Sequence, residues 1–143
     1  MNRNEATQIA NLLNTRNQLV LQYDADRILD AAVNYDFIVS QSGDVLACAE
    51  LKKVQWYQFE ICHLTTAPGV EGKGIARELF RRIEGLAITR SGRILQCTIR
   101  RDNKRSEEFF TKNGFIRVSE FYNHDSGNIV GVWQKVLSPL PIR

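Results

Sequence analysis

Apolar positions along the chain change period several times, and each change predicts an element. Near the N-terminus Ile9, Leu12 and Leu13 share one helical face behind Asn4, whose side chain can cap a first helix. Gln18 to Tyr23 is ambiguous, since Leu19-Val20-Leu21 reads as a short strand or as a packed connector. Asp24 or Asp26 can cap a second helix running to about Val33, with Ile28, Leu29, Ala32 and Val33 inward. The spacing then shortens to that of strands: Phe37 to Ser40, Val45 to Lys53 and Trp56 to Thr66, with a turn at Gln41-Ser42-Gly43-Asp44 and a break at Ala67-Pro68-Gly69.

From Gly74 to about Thr89 the helical period returns. Ile75, Leu79, Phe80, Ile83, Leu86 and Ala87 oppose Arg77, Glu78, Arg81, Arg82 and Glu84, the strongest amphipathic pattern in the chain. Ser91-Gly92 ends it, and Ile94 to Ile99 is a short buried strand. Asn103 caps a helix through about Lys112 with Gly114 as a left-handed stop. Phe115 to Tyr122 and Asn128 to Val136 close the chain as two strands around Asp125-Ser126-Gly127. The order is two helices, three strands, helix, strand, helix, two strands, which predicts an α+β fold with a mixed sheet.

Composition narrows the class without naming a function. The 143 residues suit one domain spanning 1–143, with no internal repeat, low-complexity tract or linker. Apolar residues at 43% and charged residues at 24% are those of an ordinary globular protein. A formal charge of +3, spread over short runs such as Arg81-Arg82 and Lys104-Arg105, argues against a nucleic-acid face, although basic groups could also meet an anionic cofactor. Cys48, Cys62 and Cys97 lie in apolar, strand-like stretches without metal-ligand spacing, so reduced thiols in a cytoplasmic protein and no metal site are expected. No signal-like N-terminus or membrane-length apolar run stands out.

The candidate chemistry lies where a strand meets the central helix, in Leu64-Thr-Thr-Ala-Pro-Gly-Val-Glu-Gly-Lys-Gly-Ile-Ala76. Gly69, Gly72 and Gly74 let the backbone turn tightly and expose its amides. The first amides of a helix have no internal partner, and the helix dipole adds partial positive charge, so together they suit phosphate oxygens. Lys73 adds a full charge. A Walker loop would need Ser or Thr after Lys73, where Gly74 stands, and the dinucleotide fingerprint would need glycine where Arg77 stands. A glycine-rich turn that binds nothing is the other reading of this motif alone.

Its surroundings resemble the GNAT acetyltransferase family over roughly residues 37 to 136. That family carries Gln/Arg-x-x-Gly-x-Gly/Ala between its fourth strand and its central helix. Here Gly74-Ile75-Ala76 matches the second half, and Glu71-Gly72-Lys73 occupies the first. A second signature is matched by Asn103-Lys-Arg-Ser-Glu-Glu-Phe-Phe-Thr-Lys-Asn-Gly-Phe115. The resemblance implies acetyl-CoA as co-substrate and a primary amine, small-molecule or protein, as acceptor. It implies a cofactor site made by Leu64, Thr65 and Thr66 along the pantetheine arm, by Glu71, Gly72, Lys73, Gly74, Ile75, Ala76 and Arg77 at the diphosphate, and by Asn103 and Phe110 beside them.

Two positions depart from the family. Glu71 stands where Gln or Arg is usual, and a carboxylate opposes a diphosphate unless it points away. Phe110 stands where many members place a Tyr that protonates the leaving thiolate; Tyr122 and Cys62 are alternative acids, and a thiolate with a pKa of about 8.5 can also leave unaided. Glu60, six residues before Thr66, matches the glutamate that serves as base in histone-acetylating members; a solvent-facing or ion-paired Glu is the alternative. Apolar neighbours would raise its pKa by desolvation. His63 falls on the opposite strand face by simple alternation, a parity that a bulge would change. Tyr23, Tyr57 and Tyr122, with Trp56 and His124, are candidates for the acceptor mouth. Two other functions stay open: an acyl-CoA-binding sensor without turnover, and an RNA-directed member acting on aminoacyl-tRNA. Monomer and homodimer are both compatible with the sequence.

Overall fold

The computed structural model describes residues 1–17 and 21–137. Helix α1 spans Arg3–Arg16 and starts two residues earlier than Asn4 suggested, because Asn2 is the cap. Its side chain accepts from the Glu5 amide while the Glu5 carboxylate accepts from the Asn2 amide, a reciprocal box open to Asn2 because Glu5 lies three residues on. Ala6, Ile9, Ala10 and Leu13 fall at i, i+3, i+4 and i+7 and are buried. Of the ambiguous stretch, Gln18 to Val20 lie outside the described residues; Leu21 to Tyr23 form no strand.

Asp24, not Asp26, caps α2 (Ala25–Asp30) by accepting from the Arg27 amide. The helix is shorter than its apolar pattern implied. A 3-10 turn over Ala32–Asn34 changes the phase, which leaves Val33 76% exposed rather than inward. The strands are β1 (Tyr35–Val39), β2 (Val45–Gln55) and β3 (Gln58–Thr66). Trp56 and Tyr57, expected to begin β3, instead make the tight turn between β2 and β3, where the Tyr57 carbonyl accepts from the Arg93 and Ile94 amides. Helix α3 (Ile75–Thr89), β4 (Ile94–Arg100), α4 (Lys104–Lys112), β5 (Ile116–Asn123) and β6 (Asn128–Val136) follow within a residue or two of their sequence patterns.

The result is the expected mixed sheet of six strands with four helices, in the order β1-β2-β3-β4-β6-β5. The β3–β4 pairing is parallel, running from Gln58↔Ile94 to Glu60↔Gln96; β1–β2, β4–β6 and β5–β6 are antiparallel.

The chain divides into two compact units. The first comprises Met1–Lys52 and Ile61–Leu86. Its core brings Ala6, Ile9, Ala10 and Leu13 of α1 together with Ile28, Tyr35, Val45 and Cys48. The second comprises Lys53–Glu60 and the chain from Ala87 on. There Phe59, Leu95, Cys97, Ile99, Phe110, Phe115, Val130 and Trp133 are buried. Asn103 caps α4 through the Ser106 amide, and Gly114, at φ 93°, stops it as the sequence suggested.

Candidate functional site

In the first unit β3 runs out at Thr66, and the chain turns through Ala67 to Gly74 into α3. Gly72 and Gly74 adopt φ of 80° and 75°, the left-handed region that an L side chain resists. A Cβ at either would meet nothing within 4 Å, so conformation, not crowding, calls for glycine here. Gly74 is the last non-helical residue: its carbonyl accepts the first bond of the ladder, from the Glu78 amide at 3.0 Å. The amides of Ile75, Ala76 and Arg77 therefore precede the ladder and sit at the positive end of a 15-residue helix. Beside them an open cavity of about 550 Å³ is lined by Gly74, Arg77, Glu78, Arg81 and Arg82. Arg82 also pairs with Asp36 at 2.6 Å; Lys73, Arg77 and Arg81 are exposed. The helix N-terminus and the Arg77, Arg81 and Arg82 side chains thus border one open cavity, with Glu78 among its lining residues.

The carboxylate of Glu71 is turned away from that cavity. Its oxygens accept from the Gly69 amide at 3.0 Å and from Arg16 Nη2 at 2.7 Å. Hydrogen bonds from its own amide and that of Gly69, with the Arg16 charge, hold the carboxyl below its usual range against a smaller cost of desolvation. The charge that the sequence placed against a diphosphate is thereby neutralised by the end of α1. The next residue of α1's exit, Asn17, donates to Thr65 Oγ1 at 3.0 Å, and that hydroxyl donates to the His63 carbonyl at 2.8 Å.

Within β3 the backbone of His63 stands at φ 55°, left-handed in a non-glycine residue. Phe59, Ile61 and Thr65 are nonetheless buried at alternate positions on either side, with His63 itself half-buried between them. The His63 ring meets Tyr23: its Nε2 lies 3.3 Å from the phenol oxygen, and the rings are edge-on at 5.9 Å. Arg27 lies 5.1 Å over the Tyr23 ring. Nearby Glu50 is 5% exposed, and burial pushes its carboxyl up although Lys52 and Arg27 pull the other way. Across the β1–β2 register from it, Tyr35 is also pushed up, by burial and then by the Glu50 charge. Sequence reasoning missed Glu50. Its signal was available, a lone carboxylate in the otherwise apolar run Val45 to Leu51.

The remaining candidates lie in the second unit. Glu60 is half-buried and its Oε1 accepts from Gln96 Nε2 at 2.9 Å. Gln96 Oε1 in turn accepts from Gln58 Nε2 at 2.7 Å and Gln134 Nε2 at 2.9 Å, so three glutamines fix the orientation of the group beside Glu60. Phe110 is buried, edge-on to Phe109 and Phe115 at 5.2 and 5.0 Å. Tyr57 stacks edge-on with Trp56, which is 68% exposed, and its hydroxyl accepts from Gln55 Nε2 at 3.2 Å. Tyr122 is 55% exposed beside His124. Among the described residues no three His, Cys, Asp or Glu gather as a metal site would require, and no helix is long and apolar enough to cross a membrane.

A family model described as the acetyltransferase (GNAT) family matches residues 6–115. No curated protein sequence matches the chain. Among solved structures, yncA of Salmonella typhimurium, determined with its cofactor acetyl-CoA, aligns with a TM-score of 0.82 at 16% identity over 100% of this chain and 94% of its own. Ard1 of Thermoplasma volcanium aligns with a TM-score of 0.79 at 20% identity, covering 96% and 95% of the two chains. An N-acetyltransferase of Staphylococcus aureus Mu50 gives 0.79 at 18% identity, covering 96% of each. At these identities the likeness is one of fold.

Proposed function

The chain belongs to the acetyltransferase (GNAT) family, and on that premise we propose that, as one GNAT domain, it transfers the acetyl group of acetyl-CoA to a primary amine by direct attack within a ternary complex. The observation that carries the proposal is the N-terminus of α3. Two left-handed glycines lead into amides that precede the helical ladder, Arg77, Arg81 and Arg82 line the cavity beside them, and Lys73 precedes Gly74 in sequence. A diphosphate needs several donors on one side; the Glu71 carboxylate is paired with Arg16, and the Glu78 carboxylate shares the cavity lining with three arginines. The residues present fit acetyl-CoA.

In this reading Gly72 to Arg77 hold the diphosphate. The backbone of Leu64, Thr65 and Thr66 follows the pantetheine arm; the β3–β4 ladder ends at Glu60↔Gln96 and does not use those groups. Asn103 and Phe110 are assigned to the cofactor by the resemblance. Glu60 takes a proton from the incoming ammonium, directly or through water, because only the neutral amine attacks. Tyr23, Tyr57 and Tyr122 are proposed to line the acceptor mouth. Phe110 has no proton to give, so the thiolate leaves unaided or by another donor. That substitution also favours a second reading, a domain that binds acyl-CoA without turnover. A cytoplasmic setting is part of the proposal and rests on three cysteines in strand-like stretches.

Calorimetry with acetyl-CoA, followed by thiol release across a panel of amines, tests both readings. Binding with release supports the transferase, and binding without release across the panel supports the sensor. No heat and no release with any acyl-CoA would remove both.

A further inference from the structure

Resting on the acetyl-CoA reading, we propose that Tyr23 and His63 form a proton-accepting pair for acetyl transfer, with Tyr23 touching the acceptor nitrogen and His63 receiving the proton. The two residues are 40 apart in sequence, and their side chains meet at 3.3 Å. Each is held by bonds that serve no helix or strand ladder. The Tyr23 amide donates to Asn14 Oδ1 at 2.8 Å, and Asn14 Nδ2 donates to the Tyr23 carbonyl at 2.8 Å. The His63 carbonyl accepts from Thr65 Oγ1, itself held by Asn17. One helix, α1 with its C-cap, therefore fixes both partners.

The His63 backbone stands at φ 55°, a conformation that costs an L residue energy and persists only where surrounding bonds over-determine it. Here the Thr65 hydroxyl on the His63 carbonyl and the Tyr23 contact to its ring are such bonds. Both side chains are half-buried, neither sealed in the core nor loose on the surface. The next residue is Leu64, assigned above to the pantetheine arm. The titratable and charged groups that face the pair include Arg27 of α2 and Tyr35 of β1, each against Tyr23, and behind them Glu50, Cys48 and Lys52 of β2 and Cys62 of β3.

An ammonium acceptor must lose two protons to become an amide. The first leaves before attack, the role assigned to Glu60. The second leaves as the C–N bond forms. Tyr23 Oη takes that proton while its own passes to His63 Nε2, and the C–S bond breaks with its electron pair on sulfur. The products are the amide, the CoA thiolate, an intact phenol and an imidazolium that returns its proton to solvent.

The test uses the full chain and three probes: acetyl-CoA by calorimetry, thiol release with the best of spermidine, a lysine peptide and a peptide with a free N-terminus, and the pH profile of kcat/KM. Asn tolerates left-handed backbone, so His63→Asn preserves the fold's demand. Tyr23→Phe and His63→Asn should each lower kcat about 100-fold, with no further loss in the double variant. The acid limb of the profile should lose one ionisation in His63→Asn, those of the amine and of Glu60 remaining, and acetyl-CoA affinity should hold within about twofold. A merely structural pair would alter melting or affinity and leave the number of ionisations on that limb unchanged, which overturns the proposal. Variants that match an active wild type overturn the pair alone. A wild type that fails to bind acetyl-CoA, or binds without release, overturns the transferase reading and the pair with it.

Discussion

Replacing Gly74 with Ala separates the cost of the left-handed backbone from the service that backbone performs. The added Cβ enters open space, so no clash contributes. Holding φ near 75° costs Ala about 1–2 kcal/mol. The stiffer unfolded chain returns about 0.4–1 kcal/mol where a conformation is compatible. A net loss of about 1 kcal/mol should lower the melting temperature of a domain this size by roughly 2–4 °C. Binding should suffer more. If Ala relaxes toward negative φ, the amides of Ile75 to Arg77 rotate away from the anion site. Losing one charge-assisted hydrogen bond costs about 1.5–3 kcal/mol, or roughly ten- to a hundredfold in affinity. Gly127→Ala is the control, because its φ of 74° in the β5–β6 turn makes the same backbone demand. Differential scanning fluorimetry should give similar shifts for the two variants, while calorimetry with CoA should show weakened binding for Gly74→Ala alone. Wild-type affinity in Gly74→Ala, alongside the expected thermal shift, refutes a diphosphate held at this helix end.

Glu60→Gln should slow thiol release and change its pH profile with acetyl-CoA binding intact; unchanged kinetics removes Glu60 from the mechanism. The Glu71 carboxyl is depressed in the folded state, so its contribution is present above the unfolded pKa and is lost as pH falls through the folded value. Limited proteolysis of the 67–74 loop should therefore rise below about pH 4, and Glu71→Gln should abolish that acid step; an unchanged acid step in the variant counts against it. Burial pushes the Cys48 thiol up to about 12, so iodoacetamide at pH 8 should leave it unmodified in the folded protein, as peptide mapping can show. Gly92→Ala would put a Cβ 2.7 Å from the Ala87 carbonyl oxygen and 2.8 Å from Phe59 Cδ2. It should destabilise by about 1–3 kcal/mol in urea, and a neutral result would mean the β4 entry is looser than its contacts imply.

The parts of the fold legible in the sequence are those whose signals are local. The α3 stripe from Ile75 to Ala87, the Asn103 cap and the Gly114 stop each lie within one turn or one face, and the structure has them where the pattern put them. Helix ends governed by competing caps were less legible. Asn2 outcompetes Asn4 because Glu5 completes its box, a preference that only both side chains together decide. The apolar run after Asp24 could not reveal that a 3-10 turn would expose Val33. Likewise, Trp56 and Tyr57 have strand propensity, yet the tight β2–β3 connection takes them as its turn.

The same distinction divides the candidate site. The proposed anion cradle is built by consecutive residues, so Gly72, Lys73 and Gly74 were legible as a turn into a helix, and only the surrounding resemblance separated a cradle from a turn that binds nothing. Glu71 was legible as a conflict but not as a resolved one, since its partner Arg16 lies 55 positions away. The Tyr23–His63 contact and the burial of Glu50 depend likewise on how α1 and α2 lie against β1, β2 and β3 within the first unit. In the proposed transferase, acceptor recognition belongs to this second kind. A cofactor shared by a family can be read from one segment, whereas an amine would be met by side chains that only the folded chain assembles. Substitutions at Tyr23 and His63 should therefore reorder the thiol-release rates across a panel of amines, while Gly74→Ala weakens CoA binding and leaves that order unchanged.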